Sequence, residues 1–161
     1  SKELANCGSC QLKHRPIYDE DGQLQISLFL QALLSVQKTK DVRIVHLSWN
    51  QRMRPQFRPL VRQLQNLTHD PDVRILGAAG ENPRNKYRPR PIEETVLGQV
   101  PEIEVVGEAS STGGLKPSSN FGELIDHVLP SYSQYRGSSF SLIRFTKSLA
   151  NELASNPKPI Y

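Results

Sequence analysis

The side chains that could do chemistry in this 161-residue chain are few and scattered. Cys7 and Cys10 form a single Cys-Gly-Ser-Cys. Without a second pair or histidines at zinc spacing, it reads as two thiols in a reducing compartment before it reads as a redox or metal centre. The four histidines, His14, His46, His69 and His127, have no acid or nucleophile near them in sequence at a telling spacing. His46 falls inside an apolar strand pattern, where a hydrogen-bonded structural imidazole is expected. No GxGxxG, Walker loop or GxSxG occurs. The acidic turn Asp19-Glu20-Asp21-Gly22 lacks the ligand alternation and closing glutamate of a calcium loop. Its expected role is to set negative charge ahead of a helix N-terminus. No catalytic, cofactor or metal residues are assigned on this reading, and a non-enzyme is expected.

Charge is the stronger signal. The net charge is +4, and the segment from Arg52 to Arg90 carries nine Lys or Arg against three Asp or Glu. Arg54, Arg58 and Arg62 recur at helical spacing on a face apart from the apolar one. Arg84, Lys86, Arg88 and Arg90 surround Tyr87 in a Pro/Arg alternation that excludes helix and central strand. Together these seven cations form a candidate contact for an acidic partner, a phosphoprotein or lipid headgroups. A nucleic-acid-binding module built on residues 52–90 is the third-ranked function.

The elements that would position these groups alternate strand and helix. An apolar helix is expected over Gln23–Val36, buried on nearly every side, with Lys38-Thr39-Lys40 ending it in positive charge. A strand follows at Val42–Leu47, then an amphipathic helix at Pro55–Leu67, then a strand at Asp72–Gly77. Glu102–Val106 reads as another strand, and Phe121–Leu129 as helix or strand. Ser139–Leu153 carries the clearest helical period, with Leu142, Phe145, Leu149 and Leu153 on one face. Trp49 should be a buried aromatic at a strand end. The loops holding Trp49, Asn50, Arg52 and Gly77–Gly80 match no phosphate cradle. The fold class is therefore α/β: a Rossmann-like three-layer fold with a mainly parallel sheet, in which the Val42 and Val73 strands pair, and long Pro/Gly/Ser-rich loops. Residues 1–15 are expected to be a flexible N-terminal segment and 16–161 one domain. Loops are placed at 80–96 and 108–120, and Ser110–Ser119 is read as a flexible linker open to phosphorylation. No run reaches the roughly 18 apolar residues needed to span a bilayer. The chain opens without methionine and stops where a strand would begin, so a piece of a longer protein is expected.

Two resemblances add to this. Tyr135, followed by Ser139 and the helix ending Leu149–Leu153, resembles the active-site helix of short-chain dehydrogenases. There a lysine stands four residues after the tyrosine; here Ser139 takes its place and the N-terminal glycine motif is absent. This implies a degenerate nucleotide-binding or oxidoreductase-like domain, the runner-up. The second covers residues 16–161: Asp21-Gly22-x-Leu24, Leu33-Leu34, Lys40–Ile44, Val73–Gly77, Leu129-Pro130, Arg136-Gly137, Leu149–Leu153 and Pro159-Ile160. This set is similar to the cytosolic C-terminal domain of cation–chloride cotransporters, with Gln23 in place of a second glycine. The resemblance implies a non-catalytic regulatory and dimerisation domain at the cytosolic face of a membrane, controlling potassium–chloride symport. Its partners would be its own transmembrane domain, a homodimer mate and a regulatory kinase or phosphoprotein, with no cofactor. That is the leading expectation.

Overall fold

Short runs rich in valine and isoleucine bury both of their faces by lining up in parallel between helical layers. The computed structural model describes residues 10–39, 41–81, 88–131 and 136–155, and has this arrangement. Strands β1 (Ile44–Leu47), β2 (Arg74–Ala78), β3 (Glu104–Glu108) and β4 (His127–Leu129) form one parallel sheet in the order β1-β2-β3-β4. Ile44 lies opposite Arg74, Leu76 opposite Glu104, and Val106 opposite His127. The α/β class and the parallel neighbours β1 and β2 match the sequence reading.

Alternate strand residues divide the core in two. On one face Val45, Leu47, Ile75 and Val105 meet α1 (Ile26–Lys38) and α2 (Arg58–Thr68) through Phe29, Leu33, Leu60 and Leu64. On the other, Leu76, Ala78 and Val106 meet Leu142 and Leu149 of α3 (Ser138–Ser155). Trp49 is buried just past β1, with Phe29 and Phe57 edge-on at 5.0 and 5.6 Å between ring centres.

Several expectations are corrected. The Asp19 carboxylate is spent on its own turn, accepting the amides of Asp21 (3.1 Å) and Gln23 (2.7 Å) and the Gln25 side chain. So α1 starts at Ile26, with no side-chain cap from Gln25. It is not buried all round either: Phe29 and Leu33 are buried, whereas Leu34 is 43% exposed, because the helix lies in an outer layer. The 80–96 loop ends as core: Ile92 and Val96 are fully buried, and two 3-10 turns, Ile92–Glu94 and Leu97–Gln99, follow one another. Ser110–Ser119 is not a loose linker. It folds back on β3 through an Ala109–Leu115 bridge and a Lys116 amide donating to the Glu108 carbonyl at 2.8 Å. Cys10 is disulfide-bonded and not a thiol, while Cys7 lies outside the described residues.

Candidate functional site at the carboxyl ends of the strands

Parallel strands deliver all their carboxyl ends to one edge, where the connecting loops are free of the ladder. The amino end of α3 is held at this edge. Gly137 turns into the helix with φ at +123°, and the Gly80 amide, two residues past β2, donates to Ser138 Oγ at 3.1 Å. Two asparagines pin the chain after β2, Asn50 and Asn120 each donating from Nδ2 to the Ala79 carbonyl, at 3.0 and 2.8 Å. Asn50 is thus a strut of this edge.

Two carboxylates reach the same point. Glu81 follows β2 and lies so close to the start of α3 that a Cβ at Gly137 would overlap one of its oxygens. Glu108 ends β3 and is buried. It accepts from Lys116 Nζ at 2.6 Å and from Ser131 Oγ at 2.8 Å. Burial and the neighbouring Glu108 push the Glu81 carboxyl above its ordinary range. For Glu108, burial acts in the same direction, but Lys116, Ser131 and the Gly137 amide outweigh it and hold its carboxyl low.

The serines here differ in commitment. Ser131 donates to Glu108, Ser141 donates to the Leu129 carbonyl at 2.8 Å, and Ser138 accepts from Gly80. Ser139, half-buried on the first turn of α3, has no side-chain partner among the described residues.

The histidines lie elsewhere. His46 sits between Thr146 Oγ1 (2.8 Å) and Ser48 Oγ (2.6 Å), and burial pulls its pKa down to about 4, as suits a structural imidazole. His127, which opens β4, meets Glu104 at 3.2 Å and the Phe145 ring; His14 and His69 are exposed. Among the described residues, no group of three or more potential metal ligands occurs, and no helix is long and apolar enough to cross a membrane.

Of the seven cations singled out in sequence, Arg54, Arg58 and Arg62 are exposed along α2 and its approach, forming no ion pair among the described residues. Arg88 is exposed, and Arg90 is tied by its amide to Asn120 Oδ1 at 3.1 Å. Arg84 and Lys86 lie outside the described residues, as does Tyr135. Sequence reasoning missed Glu81, Glu108, Lys116 and Ser139 as a group. Their available signal was position: each glutamate follows or ends an apolar strand, and Ser139 follows the glycine that starts a helical period.

No family model matches the chain, and no curated protein does. Among solved structures, a cold-adapted subtilisin-like serine proteinase is similar to it in fold, with a TM-score of 0.71 over 87% of this chain and 18% identity. The chain spans 52% of that structure's length, and at this identity the likeness is one of layering and topology.

Proposed function

We propose that this chain is the serine-bearing part of an acyl-transfer enzyme domain, with Ser139 as its nucleophile. One observation carries the reading. At the carboxyl edge of a parallel sheet, Ser139 stands on the first turn of α3 with its hydroxyl uncommitted among the described residues. The positive end of a helix favours the negative oxygen that forms when a hydroxyl adds to a carbonyl. The topology shared with a serine proteinase supports this. In a subtilisin-type triad the acid and the histidine precede the serine in the chain. No histidine belongs to the cluster among the described residues, so the base that takes the Ser139 proton comes from another segment of the full protein. The test is covalent labelling of the full-length protein with a fluorophosphonate. The expected result is a single adduct on Ser139 by mass spectrometry, absent from Ser139→Ala and retained in Ser131→Ala. A folded protein that takes up no label sinks the reading.

A second reading, in which the domain is regulatory and dimerising in a cotransporter-like membrane protein, is favoured by a separate observation. The Glu81 carboxyl lies against Gly137 at the amino end of α3, where it would oppose a developing oxyanion. On this reading the Arg54, Arg58 and Arg62 ladder contacts an acidic partner. Charge reversal there would abolish association, and Ser139 would stay unlabelled.

A further inference from the structure

Several cations around the sheet are paired: Arg43 with Asp72 at 3.7 Å, Arg74 with Glu104 at 2.6 Å and Lys116 with Glu108 at 2.6 Å. The outer face of α2 is different. Residues 51–69 contain four arginines, Arg52, Arg54, Arg58 and Arg62, and no aspartate or glutamate. All four are exposed, and none forms an ion pair among the described residues. Stability gives no reason for this row. Arg54 precedes the 3-10 turn Pro55–Phe57 and Arg58 opens α2, so both sit at the positive end of the helix dipole, with no acid in the first turn to offset them. Arg58 and Arg62, one turn apart, also repel each other. Leu60, Leu64 and Leu67 on the opposite side hold the helix in the core despite these charges.

The chemistry of the row selects among anionic partners. Four residues of helix place successive arginine stems about 6 Å apart, and carboxylates at every fourth position of another helix repeat at the same interval. A guanidinium takes a carboxylate through two parallel N–H bonds. A lipid surface needs an apolar face to insert beside the cations. The apolar face of α2 is spent on the core, and none of the large exposed hydrophobic residues falls within 51–69. Single-stranded nucleic acid needs aromatic platforms. Phe57 is the one phenylalanine, tyrosine or tryptophan in that segment, and it is buried. We propose that the row of Arg54, Arg58 and Arg62 docks an acidic helix of a partner protein, one that presents Asp or Glu at every fourth position. For the partner's role this rests on the second reading above, to which it adds the partner's chemistry. Labelling of Ser139 would sink that reading and leave this surface to be judged by binding alone.

The test titrates two fluorescent peptides with the 161-residue chain, read by anisotropy at about 0.15 M salt. Both peptides are helical and of one composition; the first has glutamate at every fourth position, and the second has its glutamates in a single block. The first should bind at least about fivefold more tightly. Arg58→Glu should weaken it about tenfold, and Arg54→Glu/Arg58→Glu/Arg62→Glu should abolish it. Arg15→Glu, the same charge change at an exposed site outside the row, should weaken it less than about twofold. The free triple variant should melt no lower than the parent, because it relieves the dipole and the repulsion within the row. Equal binding of the two peptides, an Arg15→Glu effect as large as that of Arg58→Glu, or a triple variant less stable than the parent would each overturn the proposal. So would tighter binding to phosphatidylserine vesicles or single-stranded RNA that is lost in Arg58→Glu.

Discussion

Replacing Gly98 by alanine tests the packing on which the carboxyl edge is built. A Cβ there would lie 1.9 Å from the Ile92 carbonyl oxygen and 2.9 Å from the Glu93 Cα, both main-chain atoms that cannot rotate away. The turns Ile92–Glu94 and Leu97–Gln99 would have to part by about 1.5 Å to restore ordinary van der Waals contact. That movement pulls on Ile92, Val96 and Leu97, all fully buried, and on the Gly98 amide donating to Thr95 Oγ1 at 3.2 Å. Overpacking of this kind costs about 1–3 kcal/mol, and a weakened buried hydrogen bond about 1 kcal/mol more. A loss near 3 kcal/mol is expected. With a urea dependence of about 2 kcal/mol per molar for a chain this size, the unfolding midpoint should fall by about 1.5 M. Gly114→Ala is the matched control, because nothing lies within 4 Å of a Cβ there, and its stability should stay within about 0.5 kcal/mol of the parent. Equal effects from the two substitutions, or a Gly98→Ala protein as stable as the parent, would refute the argument that these turns are core.

His46 and Glu104 give two pH-dependent tests. With the His46 pKa held near 4 by burial, the unfolded chain binds a proton that the folded chain refuses. Stability should therefore fall as pH drops from about 6.5 to about 4, by at most about 3 kcal/mol, and His46→Gln should flatten that slope in urea midpoints measured across the range. Glu104 behaves in the carboxylate sense: burial opposes its charge, but the Arg74 bonds at 2.7 and 2.6 Å and the His127 contact win and hold its carboxyl low. Its contribution is present above the unfolded carboxylate range and lost as pH falls through the folded value. Glu104→Gln should cost about 1 kcal/mol in thermal melts at neutral pH and nothing once the carboxyl is protonated.

Much of the scaffold was legible because it depends on local periods. Val45 and Leu47 alternate with Ile44 and His46, so one face had to meet helices. Leu60, Leu64 and Leu67 share a stripe, which left Arg58 and Arg62 outside. Boundaries slipped where side chains compete for the backbone: Asp19 closes its own turn, so the helix begins three residues later than apolar content suggests. The Ile92–Gln99 turns escaped notice because a 3-10 pair among prolines has no helical stripe to read. The site was the least legible part. Glu81, Glu108 and Ser139 lie far apart in sequence, and only the register of β2 on β3 and the return of α3 across the sheet bring them to one place.

The strands are laid down in the order in which the chain is written, each beside its predecessor, and the helix covering the back comes last. During synthesis the apolar row formed by Leu76, Ala78 and Val106 therefore waits, wet and uncovered, until residues 138–155 emerge. A ribosome stalled before Ser138 would display a sticky half-built sheet for chaperones to hold. A chain cut just before Ser138 should thus be insoluble, because that row is left without its cover.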